Sequence, residues 1–320
     1  MKFVFALLIT VVAALSAFAQ SPPTLRIVTE TPGLPSELYY GNTKVKPLRL
    51  RPGTNTPITI NDSDFFVNQQ YVDFLSRFPD QSGFNFWVSQ INACGSNSDC
   101  IAGLRDNTSG AFFLAIEFQE TGFLVERMYK VAYGDATATS TLNGTHQITV
   151  PIIRRSEFLP DTLQMSNGLI VNQPGWEGVL AANKTAFAND FVSRSRFVAA
   201  FPNTMTAAQF VDKLNANGGN PLSSSERDSL VNALTTGAMT RAQVVRAAAE
   251  DVDLATAEKN RAFVLMQYLG YLRRDPNAGQ DTDYTGYEFW LTKLNDHGGD
   301  FHAAQMVRSF LVSAEYLNRF

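Results

Sequence analysis

Residues 66–87 read FVNQQYVDFLSRFPDQSGFNFW, and residues 263–277 and 286–290 read FVLMQYLGYLRRDPN and GYEFW. Aligned, the two stretches agree at Phe66 and Phe263, Tyr71 and Tyr268, Leu75 and Leu272, Arg77 and Arg274, Pro79 and Pro276, Gly83 and Gly286, Phe86 and Phe289, and Trp87 and Trp290. A unit written twice is an architectural signal, because repeated supersecondary units are packing modules. Phe66, Tyr71, Phe74, Leu75 and Phe78 recur at the spacing of one helical face. Pro79 stops that helix, since the residue before a proline avoids the helical region. A second helix, carrying Phe86, Trp87, Val88 and Ile91, follows Gly83. The pattern therefore predicts a helix, a corner and a helix. At the corner Asp80 or Asn277 bonds to nearby backbone N–H groups, and Gly83 and Gly286 let the chain approach closely. Aromatic residues at helical spacing are core residues first. The functional alternative is a surface slot in which Trp87 and Trp290 stack on sugar rings.

Outward from the two copies the chain reads as mainly α. Ala111 to Phe118 and Phe123 to Tyr133 form further apolar helical stretches. Beyond Trp176, helices are expected over roughly 177–200, 205–216, 224–236, 241–251, 254–273, 285–296 and 301–317. Three of their starts are marked by capping boxes, Thr206 with Gln209, Ser223 with Glu226 and Thr240 with Gln243, in which side chains and backbone N–H groups satisfy one another reciprocally. Residues 135–175 change character. Asp135 to Gly144 reads as a loop and Gln147 to Ile153 as a short strand, while Pro160, Pro174 and several glycines break the remainder. The expected layout is a signal peptide at 1–19 and an extended tail or linker at 20–62 with one or two short strands. A first helical repeat domain follows at 63–134, then an irregular linker at 135–175 and a second helical domain at 176–320 that contains the second repeat, 263–320. The fold class is two helical lobes built on a duplicated helix-corner-helix unit, with a short extended N-terminal segment.

The signal peptide reading rests on Lys2, the apolar run from Phe3 to Leu15, and Ala17-Phe18-Ala19 before Gln20. The run is shorter than the about 20 apolar residues a spanning helix needs, and no second long apolar stretch follows it, so no transmembrane segment is expected after cleavage. Net charge is −4, from 26 basic and 30 acidic residues, which argues against a nucleic-acid partner and offers no polybasic stretch to an anionic membrane. In an exported chain the two cysteines, Cys94 and Cys100, are expected to form a disulfide, because no His or further Cys lies near enough to complete a zinc site.

The loop after the second corner holds Asp275, Asn277, Asp281 and Asp283 with Gly279 and Gly286. Alternating oxygen ligands and glycine turns are what calcium loops use, so these four residues are the candidate metal ligands and calcium the cofactor they would take. The EF-hand pattern fails, because counting from Asp281 places Thr285 and Thr292 where oxygen ligands belong. The competing reading is a solvated, turn-rich loop whose aspartates cap the next helix. His146, His297 and His302 have no partner at metal-ligand spacing. Nucleophile elbows and phosphate loops are absent. Acidic residues such as Glu250, Asp251 and Asp253 would suit glycosidase chemistry only inside a cleft.

Tyr71 to Trp87 and Tyr268 to Trp290 resemble the family called domain of unknown function 4214, whose pattern is roughly Y-x-x-L-x-R-x-P-D-x-x-G-x-x-F-W. The family's later element is similar to Phe310, Ser313, Glu315 and Tyr316, and in the first copy to Phe112, Ala115, Glu117 and Phe118, with alanine replacing serine. Ser76 and Arg273 precede the arginines where the family prefers glycine, and the insert at 278–283 departs from the compact form. The fold is also distantly similar to the helical linker domains of phycobilisomes. The resemblance implies an exported or surface-associated bacterial protein with no established reaction or ligand. The expectation is thus a non-catalytic interaction or scaffold module of the cell envelope or exterior, secreted or periplasmic, whose partner is a protein or glycan. A calcium-dependent or carbohydrate-binding surface protein is the alternative, and a glycosidase-like hydrolase a second one. Arg77 and Arg274 are expected either to bond to carbonyls at the corner or to pair with Glu117 and Glu315.

Overall fold

The structure, a computed structural model, describes residues 56–320 and, as backbone strands, 25–28, 37–40, 43–45 and 49–50. The expected signal peptide at 1–19 and most of the expected tail at 20–62 lie outside the described residues. In the N-terminal unit, Met1–Pro47, the strands Leu25–Val28, Glu37–Tyr40 and Thr43–Val45 pair antiparallel in that order, with Leu25 opposite Tyr40 and Leu38 opposite Val45.

The second unit, Leu48–Phe320, is mainly helical. Its apolar side chains form one continuous core from Ile60 to Tyr316. The two repeats share that core. Phe113 stacks on Phe263 with ring centroids 4.2 Å apart, and Phe74 meets Tyr271 edge-on at 5.2 Å. Residues 135–175 are therefore no linker between separate lobes. Asp135–Ser140, expected as a loop, is a strand paired with His146–Pro151, Asp135 opposite Pro151 and Ser140 opposite His146. Threonine at every second position of 137–139 fits a pleated ribbon, and Asn143 and Gly144, both at positive φ, turn the hairpin. Pro160, expected to break the chain, sits inside the helix Arg155–Met165. Proline removes one hydrogen bond there, yet the helix continues because Phe158, Asp161, Thr162 and Met165 are buried along one side.

The C-terminal half follows the periodicity closely. Helices run over Trp176–Ser193, Ser195–Ala200, Ala207–Gly218, Ser224–Thr235, Arg241–Ala249, Val252–Met266 and Thr285–Asp296. All three capping boxes form: Gln209, Glu226 and Gln243 donate their backbone N–H groups to Thr206, Ser223 and Thr240. Two expected helices are divided. Arg194 is extended, with its guanidinium on Asp161 and Asp190. Residues 301–305 form a turn before Met306–Leu311 and Ala314–Leu317. Among the described residues no helix is long and apolar enough to cross a membrane.

Each repeat bends through the same device. Ser63–Gln70 runs into one π-helical turn, Tyr71–Leu75, and Val252–Met266 runs into another, Gln267–Leu272. Both end on a residue in the left-handed region, Ser76 at φ 55° and Arg273 at φ 54°. A π-turn inserts one residue into the helical ladder, and the left-handed residue then turns the chain out of the helix. The sequence pattern announced the corners but not this geometry.

Candidate functional site

The two corners are built alike down to single atoms. Arg77 donates from Nε and Nη2 to the two carboxylate oxygens of Glu117 at 2.6 and 2.8 Å, and Arg274 does the same to Glu315 at 2.6 and 3.0 Å. Each guanidinium also lies over the tyrosine of its own repeat, Arg77 at 5.0 Å from the Tyr71 ring and Arg274 at 5.3 Å from Tyr268. Tyr71 meets Phe112 edge-on at 4.7 Å and Tyr268 meets Phe310 at 5.2 Å. Trp87 and Trp290 close the same two rings at 6.0 and 5.6 Å, half-buried against the core. A methyl group added at Gly83 would collide with the Tyr71 hydroxyl, and one at Gly286 would sit 2.6 Å from the Tyr268 hydroxyl. Both glycines are thus required by close approach.

The aspartates differ. Asp80 caps the helix Gln81–Asn92, accepting from the Gly83 amide at 2.8 Å and the Ser82 hydroxyl at 2.7 Å. Burial pushes its carboxyl up, but those two bonds and Arg77 hold it below the usual carboxylate range. Its sequence counterpart, Asn277, accepts instead from the Arg154 guanidinium at 2.9 Å. The charge that Asp80 brings to the first corner is supplied in the second by Asp281, across the insert, whose carboxylate bonds Arg274 Nη2 at 2.6 Å.

The structure does not gather the candidate calcium ligands. Asp275 accepts from the Arg155 backbone amide, Asn277 from Arg154, Asp281 from Arg274, and Asp283 from the Thr285 amide and the Thr141 hydroxyl. Among the described residues no group of three or more His, Cys, Asp or Glu side chains is placed to hold a metal ion. The loop serves to dock the hairpin and the helix Arg155–Met165 onto the second corner. Tyr284 donates its backbone N–H to the Thr139 carbonyl at 3.0 Å, completing that junction. Cys94 and Cys100 form the expected disulfide, their Cα atoms 5.6 Å apart. Glu250 is engaged by Lys184 and Arg246, and Asp251 caps the helix Val252–Met266.

At the first corner the side chains do not close completely. Tyr71, Arg77, Asp80, Trp87, Glu117 and Asn172 line a cavity of about 350 Å³. Leu75, Phe112 and Ala115 add apolar lining, and the segment Val171-Asn172-Gln173 contributes to it as well. Burial, and after it the Asp80 charge, pushes the Tyr71 hydroxyl up to about 12, so it stays a neutral donor at physiological pH. Exposed Ile116, at 56%, is part of the lining, and exposed Phe86, at 53%, packs edge-on against Trp87 with ring centroids 4.9 Å apart; Phe78, next to Arg77 in the chain, is 60% exposed. Sequence reasoning had Tyr71, Arg77, Asp80 and Trp87 as framework and missed Ile116, Asn172 and Gln173. Asn172 lies at φ 71°, a turn position with no periodic signal around it. The first copy's departures from the second, Ala115 for Ser313 and Ile116 for Ala314, were the visible trace of a corner that differs from its twin.

Comparisons of the chain with protein-family models, with curated proteins and with solved structures returned no match. The likeness to the domain of unknown function 4214 family therefore rests on the motif residues alone.

Proposed function

We propose that this protein is a non-catalytic binding module, exported to the cell envelope or exterior, that presents its first corner as a preformed recognition face. One observation carries the reading: two corners share the same internal framework, and the first bears a cavity of about 350 Å³ whose lining includes exposed Ile116 and whose Trp87 carries the exposed Phe86 ring at 4.9 Å. Exposed apolar side chains clustered at a concave site are the usual mark of an interaction surface.

The charged groups in the cavity wall support binding rather than turnover. Glu117 is held in a bidentate pair with Arg77, and Asp80 is committed to a helix cap and held ionised. Glycosidase chemistry needs one carboxyl that keeps a proton near neutral pH, and Asp80 is shifted the other way. The N-terminal run at 1–19 supports export, and kinship with the domain of unknown function 4214 family, proposed from the corner residues, agrees with an envelope location. The test is co-sedimentation of the purified exported chain with isolated cell-envelope material. The unmodified protein pellets with the envelope, and a Phe86→Ser, Ile116→Ser variant with an unchanged circular dichroism spectrum stays in solution. Equal partitioning of the two proteins would remove the first corner from the reading.

A further inference from the structure

We infer that the first-corner cavity binds a neutral sugar ring packed against the Trp87 indole; this rests on the reading of that corner as a binding face. The chemistry of the walls selects the ligand. Three features bear on it: size, apolar lining and polar edge.

The volume, about 350 Å³, is at the low end of what small-molecule sites occupy (roughly 300–1,000 Å³). The apolar part of the lining includes Trp87, Phe112, Leu75 and Ala115. The polar groups are short-range hydrogen-bonding ones: the Tyr71 hydroxyl, the Asp80 carboxylate, the Ser82 hydroxyl and the amides of Asn172 and Gln173. Asp80 uses one oxygen, Oδ1, for both its capping bonds, while Oδ2 lies 3.7 Å from Arg77, and that second oxygen has acceptor capacity to spare. A ligand that fits is itself two-faced, with an apolar C–H face and hydroxyl groups around its edge. A pyranose ring has that form.

Charge excludes the obvious competitors. Among the described residues the one cation in the wall, Arg77, is neutralised by Glu117 through two bonds, so an anion finds no free positive group there. The remaining charge, on Asp80, lies at the N-terminus of the helix Gln81–Asn92, where the macrodipole and the Gly83 amide offset it. A cation therefore gains little. The second corner lacks this set: its counterpart of Asp80, Asp281, gives its Oδ2 to Arg274 at 2.6 Å.

The experiment is isothermal titration of the exported chain with di- to tetrasaccharides of glucose, mannose and N-acetylglucosamine. Saturable binding of at least one probe is expected, weakened tenfold or more in Trp87→Ala and unaffected in Trp290→Phe. Because Trp87→Ala removes packing, Asp80→Asn and Tyr71→Phe are titrated beside it. Asparagine keeps the cap and phenylalanine keeps the ring, so a severalfold loss in either, at an unchanged melting temperature, reports the polar edge alone. No heat from any saccharide, or binding that Trp87→Ala leaves intact, overturns the inference. If envelope co-sedimentation still depends on Phe86 and Ile116 in that case, the binding-face reading stands and its partner is a protein surface.

Discussion

Asp73 and Arg319 are 246 residues apart in the chain, and their charged groups lie 2.8 Å apart with no exposed surface left on the Asp73 side chain. Arg273 reaches the same carboxylate at 2.9 Å. One buried acid from the first repeat thus holds two guanidiniums from the second, beside the Tyr271 hydroxyl that donates to Gln70 at 3.0 Å. Breaking a buried pair by removing one partner is far costlier than the pair's net worth, because it strands the other charges. Asp73→Asn is expected to lower the unfolding free energy by about 3–5 kcal/mol in urea titration. Burial raises the Asp73 carboxyl, but Arg319 and Arg273 outweigh it and hold it below its ordinary value. Its contribution is therefore present above the unfolded value of about 3.9 and lost as pH falls through the lower folded value. The variant should lack that acid limb, and a cost below 1 kcal/mol would show the carboxylate to be dispensable.

The two corner arginines look equivalent, and burial predicts that they are not. The Glu117 side chain is 5% exposed, whereas Glu315 and Asp281, the partners of Arg274, are 26% and 39% exposed. Arg77→Ala leaves Glu117 without its counter-ion in the interior, at a cost of about 3–5 kcal/mol. Arg274→Ala leaves carboxylates that water can reach, at a cost of about 1 kcal/mol. Arg77→Lys should recover only part of the loss, since an ammonium cannot make the paired bonds. Chemical denaturation of the three variants measures this, and equal losses for the two alanine substitutions would contradict it.

Ser76 occupies a left-handed conformation at φ 55° at the end of the first π-turn. A non-glycine residue there costs about 1 kcal/mol or more, because its Cβ crowds the backbone. Ser76→Gly is therefore expected to raise stability by about 1 kcal/mol. Thermal unfolding gives the answer directly. The same change at Arg273, φ 54°, should destabilise, because it also removes a guanidinium from Asp73.

These cases show where the sequence speaks and where it falls silent. The Tyr–Arg–Pro–Gly–Trp order named both corners, and the hydroxyl-to-amide spacing of the capping boxes named three helix starts, because each is a local rule with a fixed offset. Corner carbonyls and Glu117 or Glu315 were two alternatives for the arginines in the sequence, and the structure has both: Arg77 also donates to the Phe78 carbonyl at 3.0 Å and Arg274 to those of Asp275 and Pro276 at 3.2 Å. Of the hairpin, the strand His146–Pro151 was read as Gln147 to Ile153, while its partner Asp135–Ser140 was legible only through its threonine alternation, which small alanines obscured. Asp281 taking the place of Asp80 was not legible, since the insert moves the acid along the chain while the fold restores it in space. The cavity was missed for a related reason: it arises from Val171-Asn172-Gln173, a turn with no periodicity.

Glu126 is buried, and one of its carboxylate oxygens has no hydrogen-bond partner. Burial raises its carboxyl well above the usual range, and Glu258 adds to this, against Arg261, Arg127 and Lys130. For a raised acid, the contribution to stability is full below the unfolded value of about 4.3 and is lost as pH rises through the folded value. Glu126→Gln, neutral at every pH, should escape that loss. In urea denaturation the variant is expected to gain on the parent protein as pH rises above the unfolded value of about 4.3. Parallel pH profiles would show that the native protein holds Glu126 ionised.

His146 stands at the tip of the hairpin, its Nε2 2.8 Å from the Glu288 carboxylate and its Nδ1 2.8 Å from the Gly144 carbonyl. Both partners are acceptors, so both ring nitrogens are satisfied at once only when the imidazole carries its second proton. The Gly144 carbonyl first and the Glu288 carboxylate second raise the imidazole above its ordinary value, while burial acts weakly the other way. A raised histidine stabilises the folded state fully below the unfolded value of about 6.5, and the contribution disappears as pH rises through the folded value. Protonation thus clips the hairpin to the helix Thr285–Asp296. An NMR titration of the His146 ring protons should give a midpoint above 6.5, returning toward it in Glu288→Gln. Amide exchange in Ser140–Gln147 should quicken as pH passes the midpoint, beyond the base-catalysed increase seen in His146→Gln. A midpoint at or below 6.5 would mean that the ring is free of Glu288 in solution.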